Sequence, residues 1–296
     1  MFRGFLVTLV SYIAKGISYL IHNLPQPILN FIGDLMGLFW WDVVRLRRQV
    51  VFDNINKVFP HWTEKQRAHL ARKSMKNLGR GLIEYFRLPF IDKSNYEQFF
   101  KYEGVEHLEA ALKQDKGVCL LSLHTGNGDM GVFGLSLKGY PISLISKVFT
   151  ISWANELWFA MRARCGANYI APRNSTYAVL KAINRKDAVI FVLDQFMGPP
   201  VGIKVKFFGE ETGASMGLTV MAKRTGAPVI PVFDIRNEDG SHTIHFLPEI
   251  PFEEKENKEK TLSHMTQVYT NCIEKIILDY PEQWMWIHRR WKIFRH

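Results

Sequence analysis

The chain has 296 residues, of which 47% are hydrophobic and 22% charged, and this composition excludes intrinsic disorder as its general state. Lys and Arg total 38 against 28 Asp and Glu, a net charge of +10 that calls for an anionic partner: nucleic acid, anionic lipid or an acidic protein. Three scattered cysteines (Cys119, Cys165, Cys272) exclude a disulfide framework and a CxxC metal site, and fit a reducing, cytosol-facing compartment.

Phe5 to Ile21 is apolar around most of a helix and carries one charge, Lys15, a marginal length for a membrane span. No small-residue cleavage site follows it, which argues against a signal peptide. A second apolar stretch, Pro27 to Val44, ends in Trp40 and Trp41 and then meets Arg45, Arg47 and Arg48. Rings among headgroups beside guanidiniums that pair with phosphates are the pattern of a helix at a bilayer interface. Residues 1–44 therefore read as a membrane anchor with interfacial helices, spanning or in-plane, and residues 45–296 as a cytoplasmic domain.

Residues 45–95 read as basic and helical. Thr63 with Gln66 forms a capping-box pattern, opening a helix that runs to about Arg87 and stops at Pro89. Residues 96–296 alternate strands and helices. Strands are expected over Val118–Leu123, Ile142–Ser146, Ala188–Leu193, Val205–Phe208, Val229–Ile235 and His242–Leu247. Helices are expected over Glu106–Lys113, Gly126–Leu137, Ser152–Cys165, Thr176–Arg185 and Ala214–Thr225, with a last one ending near Tyr280. Wholly apolar strands such as AVIFVL are covered on both faces, so the fold class is α/β, with a mixed, mostly parallel sheet flanked by helices.

The first of these strands ends in His124, followed by Thr125-Gly126-Asn127-Gly128-Asp129. Strand ends that turn into helices are where α/β proteins place chemistry. An Asp in the first turn of the new helix can reach back to the histidine, giving a His124–Asp129 dyad in which imidazole takes a proton from a hydroxyl. The amides of Gly126 and Gly128 are candidates to hold an oxyanion. Gly213–Gly217 matches G-x-S-x-G, but residues 209–212 separate Ser215 from the nearest expected strand, so Ser215 reads as a packing residue rather than a nucleophile.

HTGNGD, MRARCGANYI, FVLDQ, KFFGEETGASMGLTVMAKRTGAPVIPVFDIR and PEQWMWIHRRWK occur in that order, after VFDNINKVFP. This series resembles the late acyltransferases of lipid A biosynthesis, the lauroyl/myristoyl transferase family of the Gram-negative inner membrane, from about Pro25 to Lys292. The resemblance implies a glycerolipid-acyltransferase-like fold, an acyl carrier protein thioester as donor, a lipid A precursor as acceptor, and no metal, nucleotide or other cofactor. It also implies attachment to the anionic inner membrane with the site facing the cytoplasm, and so no nucleic-acid partner. His124 and Asp129 match the family's histidine and acid. Arg164 looks like its arginine, Asp194 and Gln195 like its Asp-Gln pair, and these three join Asn127 as substrate-binding candidates. The family's usual form is His-x-Gly-Asn-Trp-Glu, so Gly128 and Asp129 depart from it. Two rivals stay open: a member that transfers an unusual acyl or aminoacyl group or acylates another lipid, and a non-catalytic lipid-binding protein.

Overall fold

A computed structural model describes residues 2–146, 162–171 and 175–295, with side chains from residue 12 onward. Two helices open the chain, α1 (Phe2–His22) and α2 (Gln26–Phe39), and a π-helical turn follows (Trp40–Val44). Arg45 and Arg47 take positive φ and break the path before α3 (Arg48–Val58). In α4 (Glu64–Arg87), Thr63 and Gln66 form the expected capping box, and Pro89 follows the end. Such a cap stabilises a helix by about 1 kcal/mol.

Helix α2 lies directly on α4 through glycine. A Cβ on Gly37 would collide with the Met75 carbonyl, and one on Gly79 with the Gly33 carbonyl. Asp34 adds an ion pair to Arg80 at 2.7 Å and another to Lys76 at 3.1 Å. Trp41 is buried in the same core as Leu121 of the central strand, so packing continues across residue 44. The opposite side of α2 is an exposed stripe of Ile28, Phe31, Leu35 and Phe39. The stretch Gln26–Val44 is long and apolar enough to cross a membrane, although one face of it is engaged by α4.

The main sheet has seven strands: β1 (Phe100–Glu103), β2 (Val118–Ser122), β3 (Ile142–Ile145), β4 (Asn168–Ile170), β5 (Ala188–Val192), β8 (Val229–Arg236) and β9 (His242–Phe246). Their order is β1-β9-β8-β2-β5-β3-β4, all parallel pairings except β8–β9. β6 (Gly202–Phe207) and β7 (Glu210–Ser215) form a separate antiparallel pair. Helices α5 (Val105–Leu112), α6 (Gly128–Leu137), α7 (Ser175–Asn184), α8 (Gly217–Thr225) and α9 (Lys258–Asp279), with 3-10 turns at Leu88–Phe90 and Tyr96–Gln98, complete the described elements. The expected α/β fold with a mixed, mostly parallel sheet is the one observed.

The central strands are buried on both faces, as their apolar runs require. Cys119, Leu121 and Leu123 point into one core, Val118 and Leu120 into the other; β5 alternates likewise, Val189 and Phe191 against Ala188 and Ile190. Each such aliphatic side chain contributes about 1.5–3 kcal/mol on burial. Three strands were not expected: β1, β4 and β7. The first two are edge strands of four and three residues, too short to show an alternating pattern. The third, EETGAS, pairs with β6 and displaces the expected helix start from Ala214 to Gly217. Most of the helix expected over Ser152–Cys165 lies outside the described residues.

Candidate active site

The register of the sheet assembles the site. Ser122 of β2 pairs with Val192 of β5. Two residues further along each chain stand His124 and Asp194, side by side at the C-terminal edge of the sheet. His124 Nδ1 lies 2.8 Å from Asp194 Oδ1. Asp194 Oδ2 accepts the His124 backbone N–H at 3.1 Å and the Trp284 indole N–H at 2.8 Å. Burial alone would raise the Asp194 carboxyl, but the imidazole and these donors outweigh it and hold it down at about 2. An ionised carboxylate only accepts, so Nδ1 carries a hydrogen, and in the neutral imidazole the lone pair is on Nε2.

The Nε2 side is polar. Gln195 Nε2 lies 3.3 Å from His124 Nε2 and 3.0 Å from His288 Nε2, placing one amide between two imidazoles. The C-terminal segment fixes this arrangement from above. Met285 N–H donates to the His124 carbonyl at 3.0 Å, and Trp284 is buried against Asp194. That segment is in turn held by Ser74 Oγ on the Trp284 carbonyl and by Asn54 Nδ2 on the Trp286 and His288 carbonyls.

This geometry corrects the expected dyad. The carboxylate on His124 Nδ1 is Asp194, while Asp129 is turned elsewhere. Asp129 sits buried in the first turn of α6 and accepts from Arg162 Nε at 2.8 Å and from the Tyr85 hydroxyl at 3.1 Å. Arg162 Nη2 approaches the same oxygen at 2.6 Å. Burial raises the Asp129 carboxyl, with Arg162, Tyr85 and the nearby His124 acting against it. The Tyr85 hydroxyl is pushed well up by burial and by Asp129, so it remains a donor. Short-range spacing pointed to Asp129 because residues four or five apart are the ones a local reading can join; the Asp194 contact spans 70 residues and exists only through strand pairing.

Arg164 is likewise not the arginine at the site. It is exposed, and its charge bears on Asp92. Arg162, two residues earlier, is the buried one. Successive helical residues turn by about 100°, so positions two apart face nearly opposite ways. Asp194 is buried beneath the imidazole, and Gln195 beside it is half-exposed. Asn127 caps α6 with its side-chain oxygen on Asp129 N–H at 3.2 Å and donates from Nδ2 to Glu84 at 2.9 Å, so it shapes the turn from inside. Gly126, at φ +52, is pressed against Asp234, where a Cβ has no room; Gly128 is exposed, with open space where a Cβ would be. Among the described residues, no hydrogen bond engages the amide of either glycine.

His124, Gly126, Gly128, Asp129 and Arg162 line a cavity of about 230 Å³, whose other walls include Leu82, Val132, Leu144, Ile190 and Trp284. It is a largely apolar slot with a histidine at its edge. Ser215 does end strand β7, contrary to the expected gap, and its Oγ accepts the Gly217 N–H at 3.2 Å, starting α8. Tyr85, Arg162, Trp284 and His288 are residues that motif reading did not place at the site. The ordered tail PEQWMWIHRRWK was the one signal that could have brought in two of them.

Residues 4–293 match the family model described as bacterial lipid A biosynthesis acyltransferase. The chain is 25% identical to a lipid A biosynthesis lauroyltransferase of Escherichia coli (strain K12), over 96% of this chain and 91% of that protein. It is 27% identical to a lipid A biosynthesis palmitoleoyltransferase of the same organism, over 96% and 91%. A phosphatidylinositol mannoside acyltransferase of Mycolicibacterium smegmatis is 24% identical over 75% of this chain and 72% of its own length.

Proposed function

Since the chain belongs to the bacterial lipid A biosynthesis acyltransferase family, we propose that it moves a fatty acyl group from an acyl carrier protein thioester to a hydroxyl of a lipid A precursor, with His124 as general base. The observation that carries this reading is the 2.8 Å contact between His124 Nδ1 and a buried, ionised Asp194, beside an apolar cavity. It gives the imidazole one basic nitrogen and a fixed orientation.

In the proposed sequence the acceptor hydroxyl displaces the Gln195 amide and gives its proton to His124 Nε2. The alkoxide attacks the thioester carbonyl, and the tetrahedral oxyanion is held by the Gly126 and Gly128 amides. Collapse breaks the C–S bond, and the leaving sulfur takes the proton back from His124. Asp194 stabilises the imidazolium between these transfers. Asp129 anchors Arg162, whose guanidinium at the cavity wall serves an anionic part of the substrate or the developing charge.

The apolar stripe of α2, next to basic α3 and α4, supports attachment in the plane of an anionic membrane, with the catalytic side in the cytoplasm. The net charge of +10 supports docking of an acidic carrier protein. Open space at Gly128 favours a second reading of the substrate, in which a bulkier acyl group or another lipid acceptor is used. Transfer by the purified chain from a panel of acyl carrier protein thioesters to a lipid A precursor, and in parallel to other hydroxyl-bearing lipids, tests both readings. Activity that vanishes in His124→Ala supports the first, and turnover only with another acceptor supports the second.

A further inference from the structure

Behind the turn that carries the candidate oxyanion amides lies a cluster of charges that the proposed chemistry does not use. Glu84 comes from α4, Asp234 and Arg236 from β8, and His242 from β9; all four are buried, His242 completely. Arg236 and His242 are directly opposed in the antiparallel β8–β9 pair. His242 Nδ1 lies 2.8 Å from Asp234 Oδ2, and its Nε2 lies 3.1 Å from Glu84 Oε1. Glu84 is also gripped by Arg236, whose Nη2 donates to Oε2 at 2.7 Å. With a carboxylate on each ring nitrogen, both nitrogens must donate, so His242 is an imidazolium. Two carboxylates and two cations then balance.

Both carboxylates reach forward to the same residue. Asp234 Oδ2 accepts the Asn127 backbone N–H at 2.9 Å, and Glu84 Oε2 accepts its side-chain Nδ2 at 2.9 Å. Gly81 O accepts Nδ2 as well, at 3.3 Å. Asn127 is thus held by main chain and side chain together, while its own oxygen holds Asp129 N–H. Glu84, Arg236 and His242 stand outside the cavity wall, and Asp234 alone borders it. Apolar residues of similar volume would fill such a space with equal or greater stability. They could not bond both nitrogens of Asn127.

We infer that Glu84, Asp234, Arg236 and His242 are positioning residues that clamp Asn127 and so fix the Gly126–Asp129 turn in the shape that acyl transfer requires. The inference rests on the acyl-transfer reading of His124, but the clamp itself has a signature that needs no substrate.

The test uses the full chain with His242→Gln and with the double substitution Asp234→Asn/His242→Gln. A lone Gln leaves the two carboxylates with one buried cation. In the double variant, the Asn amide can accept from Asn127 N–H and donate to Gln, which donates to Glu84, so a neutral chain replaces the charged one and balance returns. His242→Gln should lower kcat by about 10²-fold, as a misplacement near 1 Å does, with KM within about threefold of wild type. The double variant should recover most of the loss. Without substrate, deuterium exchange should quicken over residues 124–130 in His242→Gln while β2 stays protected. Wild-type kcat in a folded His242→Gln protein, or a loss confined to KM, would overturn the clamp. So would exchange that rises uniformly in His242→Gln and stays uniformly high in the double variant. A wild-type chain that transfers nothing would instead remove the acyl-transfer reading, and the local exchange difference would still decide the clamp.

Discussion

His124 and Asp194 each stand two residues beyond the end of a strand, and those strands are parallel neighbours paired Ser122 to Val192, so the side chains meet at 2.8 Å. The contact is a consequence of sheet register, and it sets which nitrogen of the imidazole can act as base. Trp284 and the His124 backbone N–H hold the other carboxylate oxygen, so the carboxylate can neither rotate nor leave.

Asp194→Asn should therefore lower kcat by about 10²–10⁴-fold, because an amide can present its own N–H to Nδ1 and leave Nε2 without a lone pair. Asp129→Asn should act differently. It removes the counter-charge of Arg162, so its main effect should be on stability and on substrate affinity. Steady-state kinetics and urea unfolding of both variants separate the roles. Equal kcat losses with unchanged stability would return Asp129 to the dyad.

Two neighbouring arginines should give opposite results. Arg162→Ala leaves Asp129 buried without its cation, a loss of about 3–5 kcal/mol for a buried pair broken on one side. Arg164→Ala removes an exposed side chain and should change stability by no more than about 0.5 kcal/mol. Denaturant midpoints measure the first difference, and the transfer rate should follow the same order. Loss of activity in Arg164→Ala alone would place that residue at the site after all.

The two faces of α2 should separate in the same manner. Gly37→Leu drives a side chain into the α4 backbone and should destabilise the chain by about 1–3 kcal/mol or more. Phe31→Asp alters the exposed stripe and should leave the unfolding midpoint nearly unchanged while weakening binding to anionic vesicles. Vesicle sedimentation and thermal unfolding make the comparison. Unaltered vesicle binding in Phe31→Asp would take the stripe out of the membrane contact.

Much of the fold was legible because its signals are local. Both-face burial of β2 and β5 shows as unbroken apolar runs, and Thr63 with Gln66 announces a helix start within four residues. What escaped depends on pairing across the chain. Asp194 was named through resemblance, but its place on Nδ1 required the β2–β5 register. Choosing Arg162 over Arg164 required knowing which of two side chains two positions apart turns inward, and Arg162 is the buried one while Arg164 is exposed. The Glu84–Arg236–His242–Asp234 cluster joins residues up to 158 positions apart, and single charges in a sequence carry no sign of a burial that β8–β9 pairing and α4 create together.

That cluster also makes stability depend on pH in a calculable direction. Burial would lower the His242 pKa, but Asp234 and Glu84, facing its two nitrogens, raise it from 6.5 to about 9, with Arg236 the remaining charge against Glu84. The folded state therefore binds a proton that the unfolded chain releases between those values. Stability from this group is complete below pH 6.5, declines as pH rises, and is lost above about 9. Unfolding free energy measured from pH 6 to pH 10 should fall across this window. In the charge-balanced Asp234→Asn/His242→Gln variant the fall should be shallower, since no group at position 242 titrates. A wild-type curve flat between pH 7 and pH 9.5 would mean that His242 is neutral, with one carboxylate carrying the proton instead.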